Sequence, residues 1–365
     1  MNTRIFLSHS SHDTEAVRHL AEDLKRVGLQ VWLDDWEIRV GDIIPQKVQE
    51  GLDASDYLAV WMTRDAMESG WVEREWQTRL YDEANNRSKI VLPLLAEDIQ
   101  LPGFLRPKRY ADFRRDYGQG LLDLLRVVGL QSWENNFGIK FALIMPGAFL
   151  MGSDEGEENE RPVHQVTITR PYYMAIYAVT QGQWKEIMHS EPWKEKGYVK
   201  EHVQEGDDYP AVYVSWYDAQ DFLTKLSEID NQNIYNLPTE EEWEYAARAG
   251  TNTKFSFGDD ERDLRWYGWY RDMTQRGEEY AHPVGKKKPN PWGLYDMHGN
   301  VWEWMDNWYY GSYAARPNLY PNEKVLRGGG WDYPAYGARS AFRNSELPSR
   351  SGNPMGFRLV YRPSV

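Results

Sequence analysis

The chemistry open to this chain is limited first by an absence. Cysteine does not occur, which removes disulfides, thiolate metal ligands and cysteine nucleophiles together. Histidine is scattered. His9 and His12 lie close but lack a third ligand at metal spacing, and His164, His282 and His298 are spread along the second half. Hydrogen-bonded structural histidines account for such a distribution. The acidic run DEGEENE (154–160) reads as a solvated loop. The stretch that stands out is RGGGWDYPAYGARSAFRNSELPSRSGNPMGFRLV, Arg327 to Val360. Glycine and proline punctuate it too often for a helix or a long strand. It nevertheless carries Tyr333, Tyr336, Phe342 and Glu346 between fixed-looking Trp331, Arg339, Arg343 and Gly356-Phe357-Arg358. Tyrosine mixed with serine, asparagine and glycine suits recognition, because it joins rigid contact area to adaptable hydrogen bonds. On the residues alone, an active site, a binding surface and an irregular piece of core all stay open.

The elements that must position these side chains fall into two kinds. The first half alternates strand and helix signals: IFLSH, then a helix with Val17, Leu20, Ala21, Leu24 and Val27 at helical spacing, then QVWLD, PQKVQEGLDA, YLAVWM, GWVEREWQTRLYDEA, IVLPLL, a strand near RYADF and a helix GLLDLLRVV. Alternation of this kind predicts a parallel sheet covered on both faces, with ligands at the carboxyl ends of its strands. The second half holds 11 of the 17 tryptophans beyond Trp133. Two helices are well marked there. In SWYDAQDFLTKLSE, Trp216, Ala219, Phe222, Leu223 and Leu226 share a face; in PTEEEWEYAARAG, Thr239 and Glu242 stand at capping-box spacing and Gly250 is a stop. The rest is irregular backbone pinned by aromatics. The expected division is a first domain over 1–130, a polar linker over 131–138 and a second domain over 139–365.

Composition sets outer bounds. With 365 residues, 41% hydrophobic and 27% charged, the chain fits two globular domains. Net charge is −14. Residues 1–130 hold 22 acids and 17 bases and the remainder 34 and 25, so neither half offers a basic footprint and no nucleic-acid partner is expected. Lys286-Lys287-Lys288 reads as a solvated turn. No apolar run approaches membrane-spanning length, and the N-terminus lacks the pattern of a signal peptide; no membrane association is expected, and the expected location is the cytoplasm.

RIFLSHSSHD, VWLDDWEIRVGDIIPQKVQEGLDASDYLAVWMT and SGWVEREW, in that order, resemble a bacterial TIR domain over nearly all of residues 1–130. The resemblance implies a flavodoxin-like α/β fold, and, as in some members, cleavage of NAD as a substrate; other members only assemble with further TIR domains. It singles out Glu75 in the W-V-x-x-E pattern as the essential carboxylate. Helix geometry alone does not choose Glu75 over Glu73, although Glu75 lies one turn beyond Trp71 and can share its cleft. A carboxylate beside the ribose stabilises the oxocarbenium-like state of nicotinamide loss. More loosely, the resemblance places Ser8, His9 and Ser10 at phosphates near a helix amino end. It also places Trp36 or Arg39 in a loop that covers the nucleotide and meets neighbouring TIR domains. No Rossmann-type glycine fingerprint is present, so no hydride-carrier role is expected.

IMPGAFLMGS, ERPVHQVTI, YAVTQGQW, PAVYVSWYDAQDF, LPTEEEWEYAARAG, NPWGLYDMHGNVWEW and LRGGGWD…RSAFRN…GFRLV resemble the formylglycine-generating enzyme (sulfatase-modifying factor) domain from about Phe141 to Arg362. This implies an α+β C-type lectin fold. The enzymes of that family hold copper on two cysteines after RGG, and with none here the oxidase chemistry is expected to be absent. HGNVWEW is similar to the family's structural calcium site, which would take oxygens of Asn300, Val301 and Glu303; a tight turn with Trp302 and Trp304 in the core is the alternative. No other cofactor is expected. The framework Arg327-Gly328-Gly329, Trp331, Arg339-Ser340-Ala341, Arg343 and Gly356-Phe357-Arg358 is similar to that of the variable proteins of diversity-generating retroelements. Their intervening positions correspond here to Asp332, Tyr333, Ala335, Tyr336, Phe342, Asn344, Ser345, Glu346 and Ser351. Together these resemblances imply a cytoplasmic receptor with an unknown protein or small-molecule ligand at the second domain and self-association through the first. The alternatives are a non-catalytic TIR adaptor and, behind it, an enzyme in the second domain.

Overall fold

The computed structural model describes residues 3–33, 44–68, 90–101, 105, 108–129, 132–195, 202–230, 234–273, 279–314 and 322–362. The chain divides into two compact units between Gln131 and Ser132.

In the first unit, β1 (Arg4–Ser8), β2 (Gln30–Trp32), β3 (Tyr57–Met62), β4 (Ile90–Leu95) and β5 (Ala111–Asp112) form one sheet in the order β2-β1-β3-β4-β5. All four pairings are parallel. The strand–helix alternation anticipated the parallel sheet, and the order is the flavodoxin-like one that the TIR resemblance implied. The described helices are α1 (Thr14–Arg26), α2 (Ile44–Ala54), α3 (Arg64–Glu68) and α4 (Tyr117–Val127). Helix α1 buries Val17, Leu20, Ala21 and Leu24, the residues at helical spacing in the sequence. Phe6 stacks on Trp32 with centroids 4.2 Å apart, joining β1 to β2. Residues 69–89, with the helix expected over GWVEREWQTRLYDEA, lie outside the described residues.

The second unit opens with β6 (Ser132–Glu134), β7 (Lys140–Ile144), β8 (Gly147–Met151), β9 (His164–Ile168) and β10 (Tyr172–Ala175), followed by α5 (Gln181–Met188), α6 (Pro192–Glu195) and α7 (Trp216–Ile229). Then come β11 (Tyr235–Asn236), α8 (Glu240–Arg248), β12 (Trp302–Trp308), β13 (Lys324–Arg327), β14 (Asn344–Glu346), β15 (Met355–Gly356) and β16 (Val360–Tyr361). They build a five-stranded sheet β11-β16-β10-β7-β6, a four-stranded sheet β14-β13-β12-β15 and the ribbon β8-β9.

The expected linker over 131–138 is corrected: residues 132–134 are β6, antiparallel to β7. Trp133 anchors it by stacking on Phe141 at 4.8 Å, and Asn135 Oδ1 accepts from the N–H groups of Phe137 and Ile139 to turn the chain. The two helices marked in the sequence are present. Ser215 with Asp218, and Thr239 with Glu242, close reciprocal capping boxes. Among the described residues, no helix is long and apolar enough to cross a membrane.

Candidate functional site

In the first unit, Ser8 ends β1, and Ser8, His9 and Ser10 are all buried where the chain passes toward α1. Ser10 Oγ accepts from the N–H of His12 at 3.2 Å and caps the short turn Ser11–Asp13. His9 Nε2 lies 3.4 Å from Thr14 Oγ1. Thr63, just past β3, donates its hydroxyl to Asp13 Oδ2 at 2.7 Å, and Thr63 Oγ1 itself accepts from Ala66 N–H at 3.1 Å. The carboxyl ends of β1 and β3 are thus tied side by side, the place where an open parallel sheet binds its ligand. Trp36, Arg39, Trp71 and Glu75 lie outside the described residues.

In the second unit, the segment from Arg327 onward rests on a buried ionic frame. Arg327 donates through Nη1 to the carbonyls of Ser340 at 2.9 Å and Phe342 at 2.8 Å. It pairs with Glu244, and its Nε lies 3.1 Å from Glu240. Arg343 binds Glu240 with both branches of its guanidinium, at 2.6 and 3.0 Å. Arg339 does the same with Glu160, at 2.9 and 2.7 Å. Glu160 is fully buried, which corrects the solvated reading of the acidic run: its last residue turns inward because Arg339 needs a counter-charge. Burial pushes the Glu244 carboxyl up, but Arg327 and Arg248 outweigh it and hold the group below the ordinary carboxylate range. Buried charges persist here because each guanidinium of the frame faces a carboxylate, with two hydrogen bonds in the Arg339–Glu160 and Arg343–Glu240 pairs.

The intervening residues separate into two groups. Tyr336 is 45% exposed, and Asp332, Tyr333, Asn344, Ser345, Glu346 and Ser351 are half-buried. Ala335 at 2% and Phe342 at 6% are buried, so these two do not face outward as the alternation suggested. Ala335 packs with Phe255, Leu264, Tyr270 and Ala338. Phe342 forms a floor, with its ring centroid 5.9 Å from Tyr333, 5.6 Å from Tyr336 and 6.0 Å from Trp302. On β14, Asn344 Oδ1 accepts from Ser345 N–H and Glu346 Oε1 from Leu347 N–H, both at 2.9 Å, while Ser345 donates to Glu323 at 2.7 Å.

The residues of HGNVWEW do not fit calcium. Asn300 is fully buried; its Oδ1 accepts from His282 N–H at 2.8 Å and its Nδ2 donates to His282 O at 3.0 Å. Glu303 takes two hydrogen bonds from Arg358, both 2.7 Å, and one from Trp243 Nε1 at 2.7 Å. A guanidinium occupying both carboxylate oxygens excludes a divalent cation from them. Val301 is buried between these two residues. Among the described residues, no group of three or more histidine or acidic side chains could hold a metal ion. His298 is instead a tie. Nδ1 lies 2.9 Å from Ala338 O, and Nε2 accepts from Ser256 N–H at 3.1 Å, which sets the neutral Nδ1–H tautomer.

The sulfatase-modifying factor enzyme 1-like domain model matches residues 134–363, and the TIR domain model matches residues 5–125. The chain is 29% identical over 248 residues to the serine/threonine-protein kinase pkn1 of Chlamydia caviae, a match covering 60% of this chain and 38% of that protein. It is 27% identical over 305 residues to the inactive C-alpha-formylglycine-generating enzyme 2 of Bos taurus, covering 67% and 96%. Among solved structures, PvdO from Pseudomonas aeruginosa is 27% identical with a TM-score of 0.57, covering 63% of this chain and 97% of that one. Treponema denticola variable protein 1 is 28% identical with a TM-score of 0.53, covering 64% and 98%.

Proposed function

Because the chain belongs to the sulfatase-modifying factor enzyme 1-like family and carries a TIR domain ahead of that domain, we propose that it is a cytoplasmic receptor-type protein. The second unit binds a ligand, and the TIR domain is the effector. One observation carries the reading: Tyr336 and its half-buried neighbours sit on a buried arginine–glutamate frame, in a chain without the cysteines that copper oxidation needs. A rigid frame under an exposed tyrosine and half-buried small polar side chains suits a recognition surface. The similarity to a variable protein supports diversified positions there.

Ligand binding brings TIR domains together, and the assembled site hydrolyses NAD with Glu75 stabilising the developing ribosyl cation. Clustering purified full-length chain on a multivalent support through a terminal tag, then following nicotinamide release, tests this. Release by wild type and its loss in Glu75→Ala are expected. No release from the clustered wild-type chain refutes NAD cleavage and leaves signalling by assembly alone.

A further inference from the structure

We infer that the second unit holds a site for an uncharged pyranose sugar, in a cavity bordered by β8, β9 and the turn that ends α8. The cavity shares no residue with the surface around Tyr336, so the inference stands apart from the reading above.

The cavity measures about 430 Å³, within the range of small-molecule sites. Three aromatic rings line it. Phe149 on β8 lies 5.3 Å from Tyr245 of α8, and Tyr245 lies 4.8 Å from Trp292, centroid to centroid. Tyr245 is buried, whereas Phe149 and Trp292 are half-buried. The Tyr245 hydroxyl donates to Met145 O at 3.2 Å, and Gly147 makes room for it, since a Cβ there would collide with that oxygen.

The polar part of the lining is neutral. Gln165 on β9 and Asn252 are exposed, and among the described residues neither amide makes a hydrogen bond. Thr251 Oγ1 donates to Arg248 O at 3.0 Å and keeps its lone pairs. Thr251 and Asn252 reach the cavity because α8 ends with Ala249 and Gly250 in the left-handed region, at φ 47° and 88°. Among the described residues Arg248 alone brings charge to the lining, and its donors are committed. Nε binds Glu244 at 2.9 Å, Nη1 the Thr253 carbonyl at 3.2 Å and Nη2 the Gly152 carbonyl at 2.9 Å.

These features select a ligand class. An ionic group would give up water without meeting a free counter-charge. A wholly apolar ligand would strip water from two amides and a hydroxyl. Each amide offers donors and an acceptor together, as hydroxyl groups also do. The rings favour a flat apolar face. A pyranose joins the two: its C–H bonds make apolar faces, and hydroxyls surround its rim.

The test titrates the full chain with the methyl pyranosides of glucose, galactose and mannose, and with sorbitol, by saturation-transfer NMR. Sorbitol carries hexose hydroxyls without a ring face. At least one pyranoside is expected to bind about tenfold more tightly than sorbitol, as a ring contact of about 1.4 kcal/mol gives. Asn252→Ala and Gln165→Ala should each weaken that pyranoside several-fold, and Trp292→Ala about tenfold. Because Trp292 also packs on the core, the two amide variants decide. Tyr217→Ala removes an exposed ring on α7 outside the cavity and should change nothing. Binding of no pyranoside, sorbitol bound as tightly as the sugars, or unchanged affinity in both amide variants overturns the inference. An equal loss in Tyr217→Ala overturns it too, because it marks general stacking on exposed rings.

Discussion

At the scale of single residues, the second unit keeps the charges of its frame inside by setting arginines against glutamates, some of them shared, as Glu240 is between Arg327 and Arg343. Arg358 is the clearest case. It is fully buried, binds both oxygens of Glu303, and spends its remaining donors on the carbonyls of Ala175 at 3.0 Å and Tyr295 at 2.9 Å. Removing one partner strands the other in a low-dielectric interior, which costs far more than the pair contributes net. Arg358→Met is therefore expected to destabilise the unit by about 3–5 kcal/mol in urea denaturation. Adding Glu303→Gln should restore part of the loss, because glutamine keeps an acceptor for Trp243 Nε1 without a charge. Additive losses in the double variant would contradict the pairing. The arginines were legible in the sequence as framework, but their partners were not. Glu160, Glu240, Glu244 and Glu303 lie 55 to 179 residues from the arginines they serve, and no local pattern announces such pairs.

At the scale of elements, His298 ties the turn Phe255–Gly258 to the turn that carries Tyr336. Its ring bridges Ser256 and Ala338 O, and Ala338 ends the short helix Ala335–Ala338. Burial pushes the imidazole down to about 4, and the positive charge of Arg248 acts in the same direction. The unfolded chain protonates the same ring at about 6.5. Its folded pKa being the lower, its stabilisation is present above pH 6.5 and is lost as pH falls toward 4, at about 1.4 kcal/mol per pH unit. Asp296, buried and pushed up to about 6, acts oppositely: its contribution is present at low pH and lost as pH rises through 6. The difference between wild type and His298→Asn therefore isolates the histidine, and it should grow against wild type from pH 6.5 to 4. A difference flat with pH would contradict the tie. Strand–helix alternation made the parallel sheet legible, and the capping-box spacings did the same for α7 and α8. Helix α5 was missed although Thr180 and Gln183 form the same box; its eight residues hold too few apolar positions to show a period. Strand β6 was hidden because a three-residue edge strand needs only one half-buried aromatic, Trp133. The burial of Ala335 and Phe342 was equally hidden, since alternation along an irregular loop does not say which side faces the core.

At the scale of the whole chain, two units with separate sheets and separate cores imply separate folding. The first core gathers Phe6, Leu58, Val60 and Val91 around the parallel sheet. The second gathers Met174, Trp243, Ala246 and Val325 between its sheets and α8. Neither cluster takes a residue from across the Gln131–Ser132 boundary. A unit that buries its own apolar surface and matches its own charges needs no partner to fold. The fragment 132–365 is thus expected to unfold cooperatively, with near-UV circular dichroism and a denaturant midpoint like those of the same unit in the full chain. The cut must fall before Ser132, because β6 belongs to the second sheet. A fragment starting at 139, where the sequence placed the domain start, loses Trp133 from its contacts with Phe141 and Tyr361, each at 4.8 Å. It should be measurably less stable, by less than the roughly 3–5 kcal/mol of a fully buried tryptophan, because Trp133 is half-buried. Equal stability of the two fragments would show that β6 adds nothing to the fold, and would return residues 132–138 to the role of a linker.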